Sequence, residues 1–339
     1  MSGVPVEEVA AAYGLGEPVG PATYAARGEL GRIWRLDTRR GSWAVKEALV
    51  PLREADARAD VAFQLAAAEA GVRLPRPVRT VSGDVVAGGR WRVYEWAELE
   101  PSARVGAVEL GAVTARLHLV GHPAQGPAAA WFAEPVGHAG WAALAAAAER
   151  ADPSGQRAGR PSGSGKGTGR EGRPGVDAGD WREAFREALP ELVALDELVV
   201  PPDPAALVTC HLDVNPENVR RARDGGVVVL DWENSGPAIP GWELAKVLAD
   251  LPEEDAGVAY RAYLEAGGPA RVREAADFSM AVAEQGHLLE FYAGRALAGE
   301  GEESGENRAR ARDRLCAMLA RPLTRARIDR LLDRCRQAG

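Results

Sequence analysis

The chain has 339 residues, 46% of them hydrophobic and 27% charged, with a formal net charge of −8 and a pI of about 5.4. That apolar share supports a substantial core and excludes disorder over the whole length. The acidic balance argues against a nucleic-acid binder, which needs a basic stripe, and favours cationic ligands by long-range attraction. Cys210, Cys316 and Cys335 are odd in number and lack metal-ligand spacing, so they read as reduced thiols of a cytoplasmic protein. The N-terminus has neither a basic n-region nor an apolar h-region. No continuous apolar stretch reaches the roughly eighteen residues of a membrane span, so no membrane contact is expected.

In chain order, the first feature is the loop Arg27-Gly28-Glu29-Leu30-Gly31. Its Gly28 and Gly31 leave room for backbone N–H groups to cover phosphates, although it is not a Gly-x-Gly-x-x-Gly. Residues 32–36 and 42–46 alternate as two strands joined by the turn-like Arg39-Arg40-Gly41. The second strand ends in Lys46. Lysine and arginine total 41, yet the lysines are only Lys46, Lys166 and Lys246, so lysine is not this chain's default cation. A compact ammonium suits a point contact to the α- and β-phosphates of a nucleotide.

Residues 53–70 read as a helix closed by Gly71, with Pro75 and Pro77 beyond. Glu54 and Asp60 are its candidate acidic partners for Lys46, and the more interior Asp60 is preferred. A strand at residues 91–94 and a helix at 110–118 follow.

Residues 152–180 are rich in Gly, Ser, Pro and Arg and nearly free of large apolar side chains, so they read as a disordered insertion. Gly163-Ser164-Gly165-Lys166-Gly167-Thr168 within it falls short of a phosphate-binding P-loop. Arg160 stands where the first Gly belongs, Gly167 follows the Lys, and no strand precedes it. Helices are expected at 181–200, 255–266, 271–299 and 308–336 from apolar residues at helical spacing. An acidic loop, 299–306, separates the last two and reads as solvated.

The run Cys210-His211-Leu212-Asp213-Val214-Asn215-Pro216-Glu217-Asn218 carries the chemistry. Its pattern is His-x-Asp-x-x-x-x-Asn, and a short strand at 219–222, the turn Asp224-Gly225-Gly226 and an apolar strand at 227–230 then deliver Asp231. Kinase-type enzymes set a base and two metal ligands around one phosphate in this way. Asp213 is the candidate base for an acceptor hydroxyl. Asn218 supplies an amide oxygen to Mg²⁺ without adding charge, and Asp231 a carboxylate. Glu233 shares side-chain parity with Asp231 in an extended segment and is a candidate to assist the metal.

With Lys46, the 211–218 run and Asp231 in hand, the sequence from about residue 19 to 249 resembles the aminoglycoside phosphotransferase and choline kinase-like family. The resemblance implies an α+β, bilobal protein-kinase-like fold, with a small antiparallel β-sheet lobe at residues 1–97 and a larger, mainly helical lobe at 98–339. It implies ATP or GTP as phosphate donor, Mg²⁺, Asp213 as base, Asn218 and Asp231 as metal ligands, Lys46 on the nucleotide, and a hinge at Glu95, Trp96 and Ala97 offering backbone to the base. The implied acceptor is a small hydroxyl-bearing molecule, aminoglycoside-like or an amino alcohol. A kinase for peptide hydroxyls and a catalytically silent nucleotide or partner binder are the alternatives. Leu212 stands where protein kinases carry Arg, and Asp-Phe-Gly and Ala-Pro-Glu are missing, which argues against a regulated protein kinase. Ile239 and Glu243 replace aspartates usual in the family.

Overall fold

A computed structural model of the chain describes residues 3–29, 31–150, 181–299, 301 and 303–339. The expected disordered insertion, with its P-loop-like run, lies outside the described residues. The described chain is α+β and falls into two compact units. One comprises Met1–Ala129, Pro202–Val272 and Arg334–Gly339, and the other Ala130–Pro201 and Arg273–Asp333.

The first unit opens with α1 (Val6–Ala12) and an antiparallel sheet of β1 (Thr23–Arg27), β2 (Gly31–Thr38), β3 (Gly41–Ala48), β4 (Pro77–Val78) and β5 (Trp91–Glu95), in the order β1-β2-β3-β5-β4. The period of two along each strand divides the work of the sheet. Val45 and Val93 are cross-strand partners buried with Val9, Tyr13 and Leu36 beneath α1. The next pair along, Lys46 and Arg92, therefore faces the other way, toward α2 (Glu54–Glu69). The alternation thus places two cations on the inner face of the sheet.

Beyond β5, α3 (Ala107–Leu119) leads to the short strands that carry the motif. These are β6 (Val208–Cys210), the hairpin β7 (Val219–Arg221) and β8 (Val227–Val229), and β9 (Gly236–Ala238), which pairs with β6. The hairpin turn forms as the sequence implies: Gly225 takes φ +84° and the Asp224 carboxylate accepts the Gly226 N–H at 3.0 Å. Two helices complete the unit, α7 (Pro240–Asp250) and α8 (Glu253–Glu265), and nine consecutive α7 residues from Gly241 to Ala249 are buried.

In the second unit α5 (Gly137–Arg150), α6 (Trp181–Leu195), α9 (Ser279–Leu297) and α10 (Gly305–Ala320) enclose a core around Trp141, Trp181, Phe185, Leu289 and Leu315, and α4 (Ala130–Ala133) lies against α9. The final helix, α11, spans Arg325–Ala338. Three expected helix boundaries move. Residue 196 begins a 3-10 turn in place of the last part of the 181–200 helix. Helix α9 begins only after a 3-10 turn, where the Asp277 carboxylate accepts the N–H groups of Arg273 and Glu274. The single helix expected at 308–336 is broken at Pro322, which has no N–H to donate to the ladder.

Helices α3 and α8 cross at Gly111, where a Cβ would overlap the carbonyl oxygen of Ala259. Backbone-to-backbone contact leaves no flexible side chain to yield, so Gly111→Ala is expected to cost about 3 kcal/mol, the upper end for overpacking. Urea unfolding of the two proteins measures it, and an unchanged midpoint would mean the crossing tolerates the extra carbon.

Candidate active site

The motif loop is held in a conformation its residues do not favour. Leu212 sits at φ +66° and Asp231 at φ +57°, left-handed values uncommon outside glycine. Glu243 on α7, fully buried, fixes the first of these: one carboxylate oxygen accepts the Leu212 N–H. The other lies 2.7 Å from His118 Nε2, and His118 Nδ1 lies 2.8 Å from the Tyr263 hydroxyl. Burial works against the Glu243 charge, but the bonds from His118 and the Leu212 amide outweigh it and hold the carboxyl below the ordinary glutamate value. Glu243, one of the two departures from the family pattern, is thus the anchor of the loop.

His211 performs a second restraint. Its Nε2–H donates to the Leu230 carbonyl at 3.0 Å, and its Nδ1 accepts the Asp213 N–H at 3.3 Å. Burial lowers its pKa, which suits the neutral tautomer those two bonds require. It ties the loop to the residue before Asp231. His118, Cys210 and Glu243 also bring ligand-type atoms within 4.8 Å of one another. His118 bonds Glu243 directly, and burial pushes the Cys210 thiol well above its ordinary value.

The loop brings Asp213, Asn218 and Asp231 together. Asp213 Oδ1 accepts from Asn215 Nδ2 at 2.6 Å, and Oδ2 from Asn234 Nδ2 at 3.3 Å. Burial raises its pKa, with Lys246 opposing the rise. Asn218 donates its Nδ2 to the Asp213 carbonyl at 3.0 Å, which turns Oδ1 to the free side of the amide. The Leu230 N–H donates to the Asn218 carbonyl at 2.8 Å and fixes Asp231 beside it. Asp231 Oδ1 lies 2.8 Å from Lys46 Nζ. Burial opposes the Asp231 charge, but Lys46 outweighs it and lowers the pKa. An amide oxygen and an ionised carboxylate are the hard donors Mg²⁺ selects, so the residue types present fit that ion.

The expected partner of Lys46 is not the one it has. Asp60, 6% exposed, bonds Arg92 at 3.1 Å, and Glu54 pairs with Arg58 at 3.1 Å. Lys46 instead meets Asp231 and also Glu233, at 2.8 Å each. The reason is the register: Arg92 stands beside Lys46 on the adjacent strand and takes the short Asp60 side chain from α2. Burial pushes Asp60 up to about 7 against the pull of Arg92. Glu233, expected to assist a metal, has Oε1 3.5 Å from Arg92 and Oε2 2.8 Å from Lys46, so both its oxygens face cations. Burial works against the Lys46 charge, but Glu233 and Asp231 more than compensate and hold its pKa above the ordinary lysine value.

The remaining expected residues lie around this network. The Gly28 N–H donates to the Gly31 carbonyl at 2.9 Å, closing a tight loop before β2. A Cβ at Gly31 would press on the Lys46 stem at 3.2 Å and the Glu47 carbonyl at 3.1 Å, so glycine there keeps the ammonium's path open. The Glu95 N–H donates to the Arg76 carbonyl and that of Trp96 to the Ser42 carbonyl, at 2.9 and 3.1 Å. Arg35 stacks over the Trp96 ring at 5.1 Å, and the N–H of Ala97 makes no backbone hydrogen bond among the described residues. Sequence reasoning passed over Arg92, Asn215, Asn234 and Lys246. Only Lys246 left a signal, the scarcity of lysine.

Residues 22–279 match the model of the phosphotransferase enzyme family, and the chain belongs to that family. As its members are, it is a phosphotransferase, and the expected bilobal kinase-like fold is found in its structural neighbours. A spectinomycin phosphotransferase solved with ADP and spectinomycin is 12% identical, with a TM-score of 0.63 over 97% of each chain. An aminoglycoside phosphotransferase from Alicyclobacillus acidocaldarius is 18% identical, with a TM-score of 0.53 over 93% of this chain and 91% of that one. A choline/ethanolamine kinase family protein from Mesorhizobium loti is 17% identical, with a TM-score of 0.51 over 98% and 97%. No curated protein matches the sequence. Among the described residues no helix is long and apolar enough to cross a membrane.

The Glu243 anchor has a signed pH dependence. A carboxyl whose folded pKa lies below its ordinary 4.5 contributes stability above that pH and loses it as pH falls through the folded value. Glu243→Gln is expected to lose about 1–3 kcal/mol at neutral pH, the cost of an impaired buried hydrogen-bond set. The gap to the parent should close as pH drops well below 4.5. Urea titrations across that range test it; a gap that stays constant would show the carboxylate charge is not what holds the loop.

Proposed function

We propose that the chain transfers the γ-phosphate of ATP or GTP to a hydroxyl of a small acceptor, an aminoglycoside-like molecule or an amino alcohol. The observation that carries this reading is the convergence of Asp213, Asn218, Asp231 and Lys46 on one site through a loop held by buried hydrogen bonds. The structural neighbour bound to ADP and spectinomycin supports both a nucleotide donor and a polar, hydroxyl-bearing acceptor. On this reading residues 1–97 serve the nucleotide. The Glu95–Ala97 backbone meets the base, Gly28 and Gly31 flank the phosphates, and Lys46 neutralises α- and β-phosphate charge.

Asp213 accepts the acceptor hydroxyl's proton as that oxygen bonds to phosphorus, and the nucleoside diphosphate departs. The two amide donors on its carboxylate orient it. Asn218 and Asp231 would hold Mg²⁺, which neutralises charge on the transferred phosphate. The negative net charge favours a cationic acceptor over an anionic one.

Incubation with Mg²⁺ and ATP or GTP against a panel of aminoglycosides, amino alcohols, sugars and hydroxyl-bearing peptides, read by mass spectrometry, tests the proposal. One added phosphate on one acceptor class is expected. Asp213→Asn should reduce it about 10²–10⁴-fold, the usual worth of a general base. Lys46→Met should weaken nucleotide binding. Absence of both transfer and Mg²⁺-nucleotide binding in the parent protein would sink the assignment.

A further inference from the structure

Lys246 is a cation where the fold should least accept one. It lies on α7 in the run Gly241–Ala249, every residue of which is buried, and is itself only 4% exposed. An ammonium withdrawn from water is costly unless carboxylates compensate it. Among the described residues its Nζ lies 3.2 Å from Asp250 and 4.0 Å from Asp213 Oδ1. Asp250 lies four residues on along the same helix and is half exposed, so a pair between these two alone would not require the ammonium to be buried. From its buried position the ammonium also comes within 4.0 Å of Asp213 in the motif loop. Composition points the same way. Of 41 basic residues three are lysines, and two of those three, Lys46 and Lys246, stand beside the acids of the site.

We infer that Lys246 is a positioning residue for the phosphotransfer, holding the Asp213 carboxylate in the orientation that meets the acceptor hydroxyl. This rests on the reading of Asp213 as the base. Asn215 donates to Oδ1 at 2.6 Å with the Lys246 ammonium 4.0 Å from the same oxygen, while Asn234 donates to Oδ2 at 3.3 Å. The carboxylate is therefore gripped at one oxygen and more loosely held at the other. That leaves Oδ2 as the oxygen for the proton. The step balances without other reactants: the bond from the β–γ bridging oxygen to phosphorus breaks, the acceptor oxygen bonds to phosphorus, and its proton passes to Asp213. Lysine places a compact ammonium on a flexible stem within 4.0 Å of both carboxylates from this helix.

The test measures Mg²⁺-dependent phosphate release from ATP and GTP, to the acceptor found in the screen and to water, together with nucleotide affinity by tryptophan fluorescence. Lys246→Met should lower kcat about a hundredfold, the scale of a misplaced reacting group, with nucleotide affinity unchanged. Lys246→Ala should regain activity with added n-butylamine and not with n-butanol, which fills the same space without charge. In an Asp213→Asn background Lys246→Met should cost nothing further, because its action runs through that carboxylate. A parent-like kcat in Lys246→Met, rescue by butanol as good as by the amine, or an undiminished further loss in the double variant would overturn the role of Lys246 alone. A parent protein that binds no nucleotide would overturn it together with the kinase reading.

Discussion

A buried carboxylate with a fixed set of donors organises this site. Glu243 cannot be left unsatisfied in a fully buried position, because an unpaired charge there would cost several kcal/mol. Its two oxygens therefore require the Leu212 N–H and His118 where they are. Meeting that requirement links the motif loop to α7, to α3 through His118, and to α8 through Tyr263. The left-handed Leu212 is the local cost, on the order of 1–2 kcal/mol. In return the N–H of Leu212 turns to the carboxylate, and the next residue, Asp213, leaves the loop in one direction.

On the sheet side the charges alternate. Asp60, Arg92, Glu233, Lys46 and Asp231 form a chain of opposite neighbours between α2 and the metal-ligand candidates, with links of 2.8 to 3.5 Å. Each cation is compensated on two sides, so Lys46 remains charged in spite of its burial. The network also joins strands β3 and β5 to the segment after β8, elements distant in sequence. Glu233 occupies the position expected of a helix acid because Arg92 has already engaged Asp60.

Two electrostatic environments thus act on the two carboxyls of the motif segment. On one side Lys46 outweighs burial and lowers the Asp231 pKa. On the other, burial raises the Asp213 pKa. Environments that push neighbouring carboxyls apart are how a single loop assigns different tasks to the same residue type.

The sequence by itself determined the local pieces. The alternation of residues 42–46, the glycines of the 224–226 turn and the spacing from His211 to Asn218 are read within a few residues, because turn chemistry and strand parity are short-range. They gave the hairpins, the motif loop and the convergence of Asp213, Asn218 and Asp231, and with the family resemblance the α+β kinase-like fold. Helix ends were less legible, since the Asp277 cap and the break at Pro322 override a continuous apolar pattern. Partnership between distant side chains was decided only by tertiary structure. Whether Lys46 meets Asp60 or Glu233 depends on Arg92 lying beside it on a neighbouring strand, and the work of Glu243 depends on His118, 125 residues earlier. Coulombic and hydrogen-bond partners are set by which groups burial brings within a few ångströms, and one-dimensional spacing carries no record of that distance.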